Sequence, residues 1–152
     1  MKNAITILGV ITLLTGFAPD IYAQPTQPSL DLDKAYDLFR QGEAKLQSGD
    51  YREAIEDYNQ VLKLDVANTD AYVSRGVARF GLGDKQGAID DFTKALQLDA
   101  NNADVYRKRG GVYMTVGNKR AAREDFQQAT KLSSSQRNGT NAQPQQSPGL
   151  QQ

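Results

Sequence analysis

The chain has 152 residues, with 18 Lys and Arg against 18 Asp and Glu, and it contains neither Cys nor His. Disulfides, thiolate or imidazole metal sites and Ser–His or Cys–His nucleophile pairs are therefore excluded, although carboxylates, lysines and tyrosines leave other enzyme chemistry open. The balanced charge also argues against a general nucleic-acid binder, which usually carries an excess of Lys and Arg.

Residues 1–23 have the pattern of a secretory signal peptide. Lys2 supplies a positive start, Ile5 to Ala18 is an uncharged and mostly apolar run, and Ala23 is a small residue at the expected cleavage site. The run is short for a membrane span, which needs about 20 apolar residues. We therefore expect an exported, periplasmic or secreted bacterial protein that begins near Gln24. An uncleaved N-terminal anchor is the alternative.

A linker is expected over residues 24–34, because Pro25 and Pro28 disfavour a helix. Asp33 then offers an N-cap for the first helix, as Asn68 and Asn102 do at the next two helix entries.

Between residues 35 and 136 the sequence repeats itself with a step of 34 residues. Each copy contains two helical patterns joined by a Gly followed by Asp or Asn. The recurring positions are Gly42, Gly76 and Gly110; Gly49, Gly83 and Gly117; Ala54, Ala88 and Ala122; Asp57, Asp91 and Asp125; Tyr58, Phe92 and Phe126.

This period, with two helices in each unit, resembles the tetratricopeptide repeat. The resemblance covers 35–68, 69–102 and 103–136. It implies an all-α solenoid of three helix-turn-helix repeats wound as a right-handed superhelix. It also implies a non-catalytic binding protein that needs no cofactor and no metal.

Within each copy the small residues have structural roles. The first Gly and the Ala twelve residues later are expected to let the two helices approach closely, since larger side chains would overpack the contact. The second Gly is expected to end the first helix in the left-handed conformation. Asp50, Asp84 and Asn118 follow it as caps of the second helix.

After the third copy the composition changes. The stretch from Ser133 to the C-terminus is rich in Ser, Gln, Asn, Gly and Pro, and we expect residues 137–152 to be disordered, with no helix beyond Ser135.

The resemblance places a partner-binding groove on the concave face, which the first helices of the repeats line. The corresponding positions here are Phe39, Glu43 and Leu46; Val73, Val77 and Phe80; Arg107, Lys108, Gly111 and Met114. The alternative is that these side chains pack against the neighbouring repeat. The Lys and Asn residues with which some family members hold a C-terminal carboxylate are absent, since Ser74 and Asp104 stand at two of those positions and Lys108 alone is basic.

Charge is distributed unevenly along the array. Residues 35–68 hold seven Asp and Glu against four Lys and Arg, net −3, whereas residues 103–136 hold three against seven, net +4. This gradient is either ordinary solvated surface charge or the basis of self-association. A basic cluster of Arg107, Lys108, Arg109, Lys119, Arg120 and Arg123 offers a surface for an anionic partner other than nucleic acid.

Neighbouring carboxylates such as Asp90 and Asp91 diverge by about 100° on a helix, so they do not form an acid–base pair. The sequence therefore predicts a non-catalytic, exported scaffold that binds a protein or peptide on its concave face and keeps no stable membrane span after cleavage. The alternative is a structural module that stacks through its acidic and basic ends into homo-oligomers.

Overall fold

The computed structural model describes residues 28–140, with side chains for residues 31–137. The predicted signal peptide and residues 141–152 lie outside the described part. Within 28–140, no helix combines the length and the apolar character that crossing a membrane requires.

Six helices and no strand make up the described residues. They are α1 (Pro28–Ser48), α2 (Tyr51–Leu64), α3 (Thr69–Gly81), α4 (Lys85–Leu98), α5 (Ala103–Thr115) and α6 (Lys119–Thr140). Consecutive helices pack as the pairs α1–α2, α3–α4 and α5–α6, and α3 and α5 each pack on the helix before them. The predicted all-α solenoid of helical hairpins is confirmed.

The turn within each pair is closed by a glycine in the left-handed conformation, as predicted. Gly49, Gly83 and Gly117 have φ angles of 84°, 85° and 80°. At the first turn, the Asp50 N–H donates to the Lys45 carbonyl at 2.9 Å and the Gly49 N–H donates to the Leu46 carbonyl at 3.2 Å. This paired arrangement is the Schellman motif, and it recurs at the other two turns.

Most of the predicted helix caps are confirmed. The side chains of Asn68, Asn102, Asp84 and Asn118 accept hydrogen bonds from backbone N–H groups of the first turn. Asp50 holds the N-cap position of α2 but makes no such bond.

The N-terminal boundary differs from the prediction. Because α1 begins at Pro28, residues 28–34 of the expected linker are helical and Asp33 is not a cap. Proline suits the first position of a helix, where its missing N–H would have no intrahelical partner. Asp31 in the first turn is favoured by the helix dipole.

The last helix also runs past its predicted end at Ser135, to Thr140. Helices α2 and α4 end before Asp65 and Asp99. The side chain of each Asp accepts a hydrogen bond from the backbone N–H two residues later. Ser133 stands at the equivalent position in the third copy, and no such turn forms there. Residues 137–140, which we expected to be disordered, are therefore helical.

The first glycine of each copy accommodates an aromatic ring. A Cβ added at Gly42 would lie 2.7 Å from the Tyr58 ring, and one added at Gly76 would lie 2.8 Å from the Phe92 ring. From the sequence we expected the alanines to lie opposite these glycines. Those alanines are fully buried, but the atoms nearest to the glycines belong to the ring sixteen residues later.

Buried ion pairs join the two helices of the second and third copies, and their arginines also reach the preceding copy. Arg75 contacts both carboxylate oxygens of Asp91, through Nε at 3.0 Å and Nη2 at 2.6 Å, and its Nη1 donates to Asn59 of the preceding repeat at 2.6 Å. Arg109 repeats this pattern with Asp125 and Thr93. These contacts give Asp91 and Asp125 a structural role.

Candidate peptide-binding groove

A groove of about 290 Å³ runs between α3 and α5. Two α3 side chains three residues apart form one wall, and α5 forms the other. The lining residues are Val77, Phe80, Phe92, Arg107, Lys108, Gly111 and Val112. Five of them are predicted groove positions, so the structure brings the second and third copies together as the sequence suggested.

The groove has an apolar floor and one open wall. Phe92 and Val112 are buried beneath it, while Phe80 is 40% exposed at its edge. Gly111 widens the other wall, because a Cβ placed there would have no atom within 4 Å. An apolar side chain of a partner can therefore enter between Phe80 and Gly111.

The electrostatics of the groove depend on two neighbouring cations of α5. Arg107 pairs with Asp104 and donates to Ser133 at 3.2 Å. Lys108 is exposed and forms no ion pair with any described residue. Lys108 is therefore the cation beside the apolar floor that remains available to a carboxylate.

The predicted groove positions of the first copy are more engaged in packing. The Phe39 ring lies 5.8 Å from that of Tyr58, and Leu46 packs against the cluster around Tyr58. The Tyr58 hydroxyl donates to Glu43 at 2.7 Å. Burial raises the pKa of Tyr58 far above its usual value, and the bond to Glu43 raises it further.

The remaining predicted positions divide between core and surface. Val73 is half-buried against the main core. Met114 is exposed but lines a separate depression at the C-terminal end of the array, with α6 residues. The equivalent positions Leu46, Phe80 and Met114 therefore do not line one continuous groove.

The basic cluster predicted from the sequence is not a single surface. The side chain of Arg109 is only 16% exposed, and its hydrogen bond to Asp125 raises its pKa. Lys119 and Arg123 lie instead in the C-terminal depression.

Two sets of residues were missed by the sequence analysis. The Arg–Asp pairs were treated as separate features, although a constant spacing of sixteen in two copies links Arg75 to Asp91 and Arg109 to Asp125. The grouping of Lys131 and Gln127 with Phe126 at the C-terminal end was also missed.

Comparisons of the sequence identify the family. One profile described as tetratricopeptide repeat matches residues 39–103, and a second matches residues 103–136. Together they span more than half of the chain, which therefore belongs to the tetratricopeptide-repeat proteins. The comparison with curated proteins gives no match.

Solved structures show the same fold. The crystal structure of MamA matches with a TM-score of 0.68 at 20% identity, over 69% of this chain and 61% of that one. The Arabidopsis OM64 TPR domain matches with a TM-score of 0.65 at 27% identity, over 67% of this chain and 84% of that one. The second TPR of Spaghetti (RPAP3), bound to the HSP90 peptide SRMEEVD, matches with a TM-score of 0.65 at 25% identity, over 69% of this chain and 96% of that one. The chain thus spans about three fifths of the MamA chain.

Proposed function

We propose that this chain is a non-catalytic, exported scaffold of three tetratricopeptide repeats that binds a peptide segment of a partner in the groove between α3 and α5. The observation that carries the proposal is the combination, in one groove, of an apolar floor with an available Lys108. The Spaghetti domain at 25% identity, bound to an HSP90 peptide, supports peptide binding by this fold.

The groove chemistry restricts the ligand. A volume of about 290 Å³ suits one large apolar side chain, and Lys108 favours a carboxylate next to it. Ser74 and Asp104 replace two polar groups with which some family members hold a terminal carboxylate. We therefore expect an internal apolar-acidic segment rather than a chain end.

Selection from a library of random linear peptides tests this proposal. The full chain serves as bait, and selected peptides are measured against Gly111→Leu and Gly111→Ala. The leucine fills the groove, so we expect at least a roughly tenfold loss of affinity, or about 1.4 kcal/mol, whereas alanine leaves affinity nearly unchanged. Equal affinity for both variants would contradict the groove proposal.

Export is proposed from residues 1–23 and has its own test. We expect the chain recovered from its host to begin near Gln24 and to be found outside the cytoplasm. An intact N-terminus in the membrane fraction would favour the anchor alternative, and an intact chain in the cytoplasm would contradict export.

Self-assembly is the second candidate function. It is favoured by the exposed end of the array, where Phe126 is 39% exposed although the equivalent Tyr58 and Phe92 are buried. An open apolar surface beside cations is a feature of protein contacts.

A further inference from the structure

Among the described residues, nothing covers the outer face of α6, whereas the same face of α2 and of α4 is covered by the next helix. Helix α3 covers this face of α2, and α5 covers it on α4. On α6 the equivalent residues line an open depression of about 690 Å³. Its lining comprises Met114, Lys119, Arg123, Phe126, Gln127, Thr130 and Lys131. The lining contains three cations and no carboxylate, and none of the three forms an ion pair with a described residue.

Residues 141–152 lie outside the described part, and their sequence contains no Asp or Glu. No acidic side chain of this segment is therefore available to the three cations. A helix that carries acidic and small side chains fits the face better.

Helix α1 has such a face. Where α3 and α5 pack on the preceding repeat, they use Ala71 and Ala78, and Val105 and Val112, all buried. The equivalent residues of α1 are Asp37 and Ala44, and both are exposed. Ala44 permits close approach, as Ala78 does beside Ala54 and Tyr58. Arg40 lies on the same face, and its guanidinium can stack on an exposed ring such as Phe126.

The polar side-chain pairs between consecutive repeats also favour α1 as the helix that covers α6. Arg75 donates to Asn59 at 2.6 Å, and Arg109 donates to Thr93 at 3.0 Å. The next positions in these two series are Gln127 at the C-terminal end and Gln41 at the N-terminal end, both exposed. Two amide side chains can each donate and accept, so they can bond each other.

We propose that α1 of a second copy covers the C-terminal depression and extends the solenoid from one chain to the next. This inference rests on the second candidate function and names its contact. Asp37 of the incoming α1 lies towards Lys131, Gln41 meets Gln127, and Ala44 packs near Phe126. The net charges of −3 and +4 on the first and third repeats favour this order. Because the two surfaces differ, the contact is head-to-tail, and chains that continue the superhelix of the solenoid remain open rather than closing into a ring.

Sedimentation velocity of the full chain, over a range of concentrations at about 0.15 M salt, tests the contact. We expect the average mass to rise with concentration. Lys131→Glu and Asp37→Lys should each weaken association about tenfold, because each places like charges together. An equimolar mixture should restore association, since every contact then joins opposite charges. Lys63→Glu alters the equivalent exposed position of the first repeat and should leave association unchanged.

A wild-type chain that stays monomeric would overturn both the contact and self-assembly. If Lys131→Glu and Asp37→Lys associated as strongly as the wild type, or if their equimolar mixture did not associate, this contact alone would be overturned. Gly111→Leu should leave association intact, so failure of the groove proposal and failure of this one are distinguishable.

Discussion

Two glycines in the middle of first helices have opposite surroundings, although their sequence positions look similar. At Gly76 an added Cβ would meet the buried Phe92 ring at 2.8 Å, whereas at Gly111 it would meet nothing within 4 Å. The first glycine is needed for packing. The second makes no such contact and leaves space in the wall of the groove.

Alanine substitution separates these two roles. Gly76→Ala should destabilise the fold by about 1–3 kcal/mol, because the ring must shift in a packed core. Gly111→Ala should stabilise it by about 0.5–1 kcal/mol, because alanine reduces the entropy cost in a helix. Urea unfolding of both variants measures the difference. Equal effects would show that Phe92 does not pack on Gly76.

Tyr58 makes stability sensitive to high pH. Its pKa is raised in the folded chain, so the folded form keeps the proton while an unfolded tyrosine loses it near pH 10. The resulting stabilisation is complete below about pH 10 and is lost as pH rises towards the folded pKa. The free energy of unfolding should therefore fall more steeply above pH 10 in the wild type than in Tyr58→Phe.

Unfolding in urea between about pH 8 and 11 provides this measurement. Tyr36→Phe removes an exposed hydroxyl and is the matched control. If Tyr58→Phe and Tyr36→Phe showed the same slope as the wild type, the role of the Tyr58 proton would be refuted.

The carboxylate of Asp91 on α4 joins this helix to α3. It forms ion pairs with Arg75 and also with Arg79, the latter at 2.9 Å. The side chains of Asp91 and Arg75 are 4% and 14% exposed, so the removal of Asp91 leaves a guanidinium unpaired in the interior. Asp91→Ala should cost about 3–5 kcal/mol. Its exposed neighbour Asp90 provides the control, and Asp90→Ala should change stability by less than about 0.5 kcal/mol. Equal thermal unfolding midpoints for Asp91→Ala and Asp90→Ala would contradict this structural role of Asp91.

Element boundaries were predictable where one residue determines them. Gly49, Gly83 and Gly117 end their helices because a left-handed residue is favourable only for glycine. The start of α1 was not predictable from Pro28 alone, because proline is compatible with both a linker and a first helical turn. Helix α6 continues because Ser133 stands where Asp65 and Asp99 end α2 and α4. This difference is visible when the three copies are aligned, so the longer helix was predictable.

Candidate site residues were harder to predict than the fold. The resemblance to the tetratricopeptide repeat assigns Val77, Phe80 and Lys108 to the concave face, and these residues line one groove in the structure. It does not reveal that Glu43 binds Tyr58 or that Arg109 turns to Asp125, since those contacts depend on neighbours in space.

In the described part of the whole molecule, the two proposed contacts use separate surfaces. The groove between α3 and α5 combines apolar and cationic groups, and the depression lies at the C-terminal end of the array. The two proposals are therefore compatible: we expect one chain to bind a peptide in the groove without blocking its contact with a second copy.

Backbone amide NMR shifts, measured with and without a selected peptide, test most directly whether a peptide binds in the groove between α3 and α5. We expect the largest changes at Val77, Phe80, Lys108 and Gly111, small changes in α2, and loss of the response in Gly111→Leu. Changes confined to the C-terminal depression around Phe126, or an unaltered response in Gly111→Leu, would contradict binding in the groove.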